Sequence, residues 1–296
     1  MTRVDHVLLT RFNLPTDGVE GLIRAREGWL RHRVELFESY SVPSVAGQTS
    51  PVSWIVYLDP DSPAWLMDRL TPLIARGLFR PVFRVSVSRE ELVADLRETV
   101  RDPGELLITT NLDNDDGLAV DFCARVRSAP GARSPVVIYL NRGLIKTADG
   151  VFVRTDRRNA FCSVREGWED PVTAWSEYHN EFPRVMPAIQ LDGPPGWLQV
   201  VHTANVSNRV RGRLTDARPH RARFGQVLDD VAPPTARAVA ADTLLRLPVR
   251  AARDGARSTV RLTGLRVFGK DRYQRLKLRL SELGATRANR LPQVDR

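Results

Sequence analysis

Short apolar blocks alternate with helix-like patterns along the first 130 residues of the chain. Continuous apolar runs predict strands over residues 6–10, 53–59, 81–85 and 105–112. Apolar residues at helical spacing predict helices between them, over residues 29–40, 65–74 and 90–100, with Pro43 closing the first helix. Strands that alternate with helices are typical of a mainly parallel sheet with right-handed crossovers. The pattern therefore predicts an α/β fold.

The period changes after residue 118. The pattern predicts a helix over 118–126, a hairpin of 136–140 with 150–154, a short strand over 160–166 and a last strand over 197–202. The loop-prone segment that follows residue 166 and runs to Pro187 is rich in Trp, Tyr and His, and we expect an acceptor sugar to stack there.

The body of the fold is predicted to end near residue 205, and a helix is predicted from Pro233 to about Leu245. Beyond it, apolar residues spaced three and four apart over 273–283, with Arg and Lys between them, indicate a basic amphipathic helix. Such a helix most often packs on the body, and peripheral membrane contact is the sharper hypothesis.

Charge is divided unevenly along the chain. Residues 203–296 hold 21 basic and 8 acidic residues, a net charge of +13, whereas residues 1–202 carry a net charge of −4. This asymmetry favours an anionic partner for the last third, such as an anionic membrane surface, a polyanionic glycan or nucleic acid. A solvated basic face without a partner is the alternative. The lack of stacking aromatics at recognition spacing argues against specific RNA readout.

The remaining composition places the chain among globular proteins with an ample core, since 42% of its 296 residues are hydrophobic. Two cysteines, Cys123 and Cys162, are too few for a disulfide framework and lack metal-site spacing, so a reducing compartment fits. No signal peptide or membrane-spanning run is apparent in the sequence. We therefore expect a cytoplasmic location, with peripheral binding at the inner face of the membrane as an option.

Three carboxylates stand within four positions directly after the strand 105–112, in the run Asp113-Asn114-Asp115-Asp116. Carboxylates this close repel one another, and at least one has a raised pKa unless a cation lies among them. Mg²⁺ or Mn²⁺ resolves the conflict, because these ions accept hard oxygen ligands and fill their other positions with phosphate oxygens and water. Since ligands of open α/β sheets gather at the carboxyl ends of strands, the run predicts a metal–diphosphate site.

Three other interpretations of these features stay open. Asp and Asn are turn formers, so the run is also compatible with a solvated loop. It is also compatible with the nucleophile loop of a phosphatase that forms an aspartyl-phosphate at Asp113, although the Thr or Val expected after the second Asp is missing. A non-catalytic protein would use the basic end to bind a polyanion, with a steep loss of binding in salt.

Several short motifs in order make the chain resemble the rhamnosyltransferase family of bacteria, which has the GT-A fold. They are Thr10-Arg11-Phe12-Asn13, Pro43-Ser44 with Gln48-Thr49 before Trp54-Ile55-Val56, Leu112-Asp113-Asn114-Asp115-Asp116, residues 159–166, and residues 197–202 with Asn205. Asn111 departs from the family pattern, which has a basic residue there.

The resemblance implies a GT-A, Rossmann-like mixed sheet flanked by helices, with a basic C-terminal helical extension. On this basis residues 1–205 form a catalytic domain and residues 206–296 an extension packing on it. The implied activity is metal-dependent glycosyl transfer of the hexosyltransferase type. Its donor is a dTDP- or UDP-linked sugar, with rhamnose expected, and its acceptor is a glycan, a lipid-linked precursor or a small molecule.

Site residues follow from the same resemblance together with the chemistry of the reaction. The expected nucleotide-sugar contacts are Arg11, Asn13, Asp59, Asp113, Asn205 and Arg209, and the expected Mn²⁺ or Mg²⁺ ligands are Asp113, Asp115, Asp116 and His202. An inverting enzyme also needs a carboxylate base near the acceptor hydroxyl. We predict Glu166 for that role because it directly follows a strand, and Asp170 as the second choice.

Overall fold

The computed structural model describes residues 3–15, 28–131, 135–202, 210–250 and 252 of the chain. Twelve strands form its two sheets. They are Val4–Arg11 (β1), Ser53–Leu58 (β2), Arg80–Phe83 (β3), Leu106–Asn111 (β4), Gly117–Leu118 (β5), Val136–Leu140 (β6), Arg142–Thr147 (β7), Gly150–Thr155 (β8), Ser163–Glu166 (β9), Ala188–Leu191 (β10), Trp197–Val200 (β11) and Arg213–Thr215 (β12).

Seven α-helices lie between and after these strands. They are Trp29–Leu36 (α1), Val42–Ala46 (α2), Ala64–Ala75 (α3), Arg89–Val100 (α4), Phe122–Arg127 (α5), Arg221–Phe224 (α6) and Ala236–Ala241 (α7). Within the described ranges, every helix is too short or too polar to span a membrane. The predicted amphipathic helix over 273–283 lies outside the described residues.

The first sheet has seven strands in the order β10-β6-β9-β4-β1-β2-β3. Strands β4, β1, β2 and β3 run parallel, whereas β9 is antiparallel to both β4 and β6. Their apolar runs are buried on both faces, as expected for parallel strands covered by other elements, and Val7, Leu8 and Leu9 of β1 have no exposed surface. The predicted α/β class and mixed sheet are confirmed. The parallel order puts the carboxyl ends of β4, β1 and β2 side by side.

The second sheet has the order β12-β8-β7-β11-β5. Strand β8 pairs antiparallel with β7, so the predicted hairpin of 136–140 with 150–154 is wrong. The chain passes from β6 in the first sheet to β7 in the second at Asn141, and the hairpin forms between β7 and β8 instead. Residues of β12 and of the segment 217–231 pack on this sheet, with Phe224 and Leu228 in its core. The proposed division at residue 205 stays a prediction.

Helix α1 continues through a π-helical turn, Phe37–Ser41, directly into α2. The prediction that Pro43 ends this helix is therefore wrong. Pro43 lies in the first turn of α2, and a proline is tolerated in a first turn, where its missing N–H removes no helical hydrogen bond.

A polar network crosses the middle of the first sheet at His6. This side chain is 2% exposed, and its Nε2 lies 2.8 Å from Thr110 Oγ1, which lies 2.6 Å from Ser163 Oγ. Burial lowers the pKa of His6 to about 3, with a smaller contribution from the charge of Arg127. The imidazole is therefore neutral in the folded protein over the ordinary pH range.

We expect this histidine to make the fold sensitive to mild acid. Below its ordinary pKa of 6.5 the unfolded chain takes up a proton at His6, while the folded chain does so only near pH 3. The free energy of unfolding should therefore fall between pH 6 and pH 4, by up to about 1.4 kcal/mol per pH unit from this group. Urea unfolding of the wild type and His6→Gln across this range measures the effect. Equal slopes for the two proteins would contradict it.

Candidate active site at the carboxyl edge of the first sheet

Asn114 holds the acidic turn against the end of β1. Its side-chain amide is buried and donates to the backbone carbonyl oxygens of Arg11 at 3.1 Å and Phe12 at 2.5 Å. Thr10 Oγ1 donates to the carbonyl oxygen of Leu112 at 2.7 Å, just before the turn. These bonds fix the turn between neighbouring strand ends, so its carboxylates have defined environments rather than solvated ones.

Asp115 is 6% exposed and shares one oxygen with two basic groups. Arg33 Nη1 lies 2.6 Å and His202 Nε2 lies 3.1 Å from Asp115 Oδ2. Burial raises the pKa of Asp115, but the hydrogen bond with His202 and the charge of Arg33 outweigh it, and the net pKa lies below the ordinary value. The ring of His202 also contacts His32 edge-on, with ring centroids 5.0 Å apart. Asp115 is therefore the ionised, paired member of the acidic turn.

Asp116 faces the second sheet. It is fully buried, and its Oδ1 accepts a hydrogen bond from the backbone N–H of Val200 at 2.8 Å, while its Oδ2 has no partner among the described residues. Burial, followed by the charges of Asp115 and Asp113, raises the pKa of Asp116 well above the ordinary value. A neutral carboxyl that ties β11 to the turn fits these observations. It has no surface open to a ligand.

Asp113 has an exposed side chain although protein surrounds it densely. This combination is the property of a concave surface. Loss of solvent, together with the charge of Asp115, raises the pKa of Asp113 to about 6 against the opposing effects of Asn111, Arg11 and Arg33. Asp113 is therefore the accessible carboxylate of the turn.

Arg11 lies beside this turn on an aromatic support. Its guanidinium carbon is 4.0 Å from the ring centroid of Trp175, and the indole Nε1 of Trp175 donates to Asn111 Oδ1 at 2.8 Å. The segment 168–175 crosses one face of the sheet, from Asp5 near the start of β1, which accepts from Trp168 Nε1 at 3.0 Å, to this edge. It delivers Trp175 from the predicted aromatic acceptor segment to the acidic turn.

Asn13 and Asp59 meet at the adjoining strand ends. Asn13 Oδ1 accepts from the backbone N–H of Asp59 at 3.0 Å, and Asn13 Nδ2 donates to Ser62 Oγ at 3.0 Å. Asp59 Oδ1 accepts from the N–H of Asp61 at 2.9 Å. Both predicted nucleotide contacts thus lie at the carboxyl edge. The other two, Asn205 and Arg209, lie outside the described residues.

Glu166, predicted as the base, is not brought to this edge. Strand β9 runs antiparallel to β4 and pairs Glu166 with Leu107 near the start of β4, so Glu166 lies toward the opposite end of the sheet. It is 2% exposed, and its carboxylate accepts from the backbone N–H groups of Val172 at 2.6 Å and Thr173 at 2.8 Å. Its contacts give it a role in holding the loop after β9.

Asp170 is likewise engaged elsewhere. It is exposed and pairs with Arg89 at 2.6 Å. No contact of this side chain with the acidic turn is found in the described part of the chain, so we assign neither acid to the reaction.

A family model described as "Putative rhamnosyl transferase" matches residues 5–214. This match covers more than two thirds of the chain. The chain belongs to this family. Its members are classed as glycosyl-transferring enzymes, and the acidic turn, β11 and every strand of the first sheet lie within the matched range. The prediction of a glycosyltransferase is confirmed. Among curated proteins, none matches the chain significantly.

Solved structures of low identity are similar to this family member in overall arrangement. One is S. aureus TarS 1–349 in complex with UDP, with 10% identity, 67% of this chain and 60% of that chain covered, and a TM-score of 0.39. Another is GalNAc-T7 with UDP, GalNAc and Mn²⁺, with 11% identity, coverage of 70% and 45%, and a TM-score of 0.39. A third is the inositol-1-phosphate CTP transferase of T. maritima, with 10% identity, coverage of 78% and 100%, and a TM-score of 0.39.

The donor set of the turn fits a divalent cation through two residues. Neighbouring ligands at about 2.1 Å from one octahedral ion lie about 3.0 Å apart, and the distance from Asp115 Oδ2 to His202 Nε2 is 3.1 Å. Within the described ranges, no three His, Cys, Asp or Glu side chains form a cluster that could hold an ion. A cation bound here would take its other ligands from phosphate and water.

Two residues of this site were not predicted from the sequence. Arg33 is one of 44 basic residues, and its place on the polar side of an amphipathic pattern gave no signal. Trp175 lay within the expected aromatic segment, but its contact with Arg11 depends on the path of that segment across the sheet.

The different environments of Asp115 and Asp116 lead to opposite expectations for their Asn variants. Asp116→Asn keeps an acceptor for Val200 and removes no charge, so the free energy of unfolding at pH 7 should stay constant or rise. Asp115→Asn leaves Arg33 and His202 without their counter-charge, and should lower this free energy by on the order of 3 kcal/mol. Denaturant unfolding measures both, with the exposed Asp68→Asn as a control. An equal loss in both variants would show that Asp116 is charged.

Proposed function

We propose that this glycosyltransferase moves a sugar, rhamnose in keeping with its family, from a dTDP- or UDP-linked donor to a hydroxyl of a glycan, a lipid-linked precursor or a small molecule. We further propose that it uses Mn²⁺ or Mg²⁺. The observation that carries the proposal is the meeting of Asp115 and His202, from different sheets, beside the accessible Asp113 and the cation of Arg11. Such a set of groups suits a nucleoside diphosphate bound through a metal ion.

On the donor side, the departing diphosphate must be stabilised as the glycosidic bond breaks. Asp115 and His202 would hold the cation, which supplies positive charge to the diphosphate oxygens. Asp113 is free to accept a hydrogen bond from a ribose hydroxyl or from a metal-bound water. Arg11, held over Trp175, places a second positive charge at the same edge. An imidazole ligand favours a transition metal such as Mn²⁺ over Mg²⁺.

On the acceptor side, the segment after β9 supplies aromatic surface. Trp175 lies at the edge of the sheet, and Tyr178 is 75% exposed three residues later. Tyr139 Oη donates to the carbonyl oxygen of His179, which anchors this segment to the end of β6. Sugar rings pack their apolar faces on aromatic side chains, so this segment suits a carbohydrate acceptor.

Nucleotide binding tests the proposal directly. We expect UDP or dTDP, in the presence of Mn²⁺, to raise the melting temperature of the wild type, because a ligand that binds only the folded state stabilises it by mass action. His202→Asn should weaken nucleotide binding in Mn²⁺ by more than about tenfold, equivalent to about 1.4 kcal/mol. Calorimetric titration measures this change, with Asp68→Asn as the matched control.

The same screen states what would refute the proposal. Transfer from dTDP-rhamnose and UDP-sugars to a panel of glycosides is followed by mass spectrometry, with p-nitrophenyl phosphate as the substrate for phosphatase activity. The proposal fails if no nucleoside diphosphate changes the melting temperature in the presence of Mn²⁺. Release of p-nitrophenol, lost in Asp113→Asn, would support the aspartyl-phosphate alternative instead.

A further inference from the structure

Arg33, on helix α1, reaches the acidic turn as an internal cation. Its Nη1 lies 2.6 Å from Asp115 Oδ2 and donates to Asn114 Oδ1 at 3.0 Å. The side chains of Arg33, Asp115 and His202 are 14%, 9% and 11% exposed. A charge pair this sheltered from water interacts much more strongly than a surface pair.

Arg33 competes for the oxygen that the proposed metal site requires. Asp115 Oδ2 is the atom nearest both Arg33 Nη1 and His202 Nε2. A divalent ion held between Asp115 and His202 would meet a guanidinium 2.6 Å from one of its ligand atoms. Two positive groups that close repel each other, so the ion and the Arg33–Asp115 pair exclude one another.

We infer that Arg33 is an exchangeable cation of this site and a ligand of the donor diphosphate. The inference rests on the proposed function. Arg33 neutralises Asp115 when no metal ion is bound, gives way when a divalent ion takes Asp115, and then turns its guanidinium to the diphosphate oxygens that arrive with the ion. A guanidinium suits the second role, because its planar fork matches phosphate oxygens.

The surroundings of Arg33 limit how far it moves in this exchange. Asn114 Oδ1 accepts from Arg33 independently of Asp115, and the ring of Trp29 lies 5.1 Å from the guanidinium carbon. Loss of the Asp115 contact therefore leaves Arg33 with other contacts beside the turn. The diphosphate would be met by a cation already placed at the sheet edge.

The inference predicts changes of opposite sign in one variant. In Arg33→Met the competitor for Asp115 is gone, so Mn²⁺ alone should bind at least tenfold more tightly than to the wild type. The guanidinium that meets the diphosphate is also gone, so UDP or dTDP should bind at least tenfold more weakly at saturating Mn²⁺. A purely structural role for Arg33 would weaken both.

The measurements are electron paramagnetic resonance titration of free Mn²⁺ with the full-length protein and calorimetric titration of nucleotide at saturating Mn²⁺. Arg31→Met is the matched control, because Arg31 lies on the same helix over the ring of Trp65 and should leave both affinities unchanged. Arg33→Lys covers the case in which Arg33→Met does not fold. It keeps the charge without the planar fork, so nucleotide binding should fall while Mn²⁺ binding changes by less than threefold.

The outcomes separate this inference from the proposed function. If the wild type binds both Mn²⁺ and nucleotide, and Arg33→Met changes both affinities in the same direction or neither, the exchange is refuted and the proposed function stands. Tighter Mn²⁺ binding together with weaker nucleotide binding supports the exchange. If neither the wild type nor Arg33→Met binds Mn²⁺, both proposals fall.

Discussion

The arrangement depends on the repulsion among three carboxylates at the end of β4. Each acid is accommodated by a different physical means: Asp115 by two basic partners, Asp116 by burial in its neutral form, and Asp113 by access to solvent at a concave surface. The neighbouring elements provide those means, with Arg33 from α1 and His202 following β11. Placing charge this way costs stability that an ordinary turn would not lose, which is typical of sites kept for a ligand.

The second sheet makes that accommodation possible. Strand β11 runs parallel to β7 and brings the N–H of Val200 to Asp116, with His202 two residues later beside Asp115. Trp197, at the start of β11, packs on Phe161 from the first sheet, with ring centroids 5.1 Å apart and nearly parallel planes. The position of His202 is therefore coupled to the core that both sheets share. This coupling explains why a strand from a separate sheet can complete a site at the edge of the first one.

Buried apolar runs and strand-end acids made much of this fold predictable. Strands β1, β2 and β4, the acidic turn and His202 follow from them, since a parallel order places strand ends together. The direction of β9 was not readable from its own residues, and this direction moves Glu166 away from the turn. The hairpin was misplaced because β7, Arg142–Thr147, mixes charged and apolar residues, and its local pattern is no stronger than that of a loop. Arg33 could not be singled out, because pairing across 82 positions leaves no trace in one sequence.

The π-helical turn at Phe37–Ser41 bears on how helix α1 addresses the acidic turn. Ser41, at its end, donates from Oγ to the carbonyl oxygen of Asp116 at 2.8 Å, while Arg33 approaches Asp115 from two turns earlier. Eight α-helical steps would set these two side chains about 80° apart around the axis. The extra residue taken up by an i→i+5 turn reduces this to about 20°. One inserted residue thus gives the helix a single face with two anchoring points, and a chain lacking it would have to choose between them.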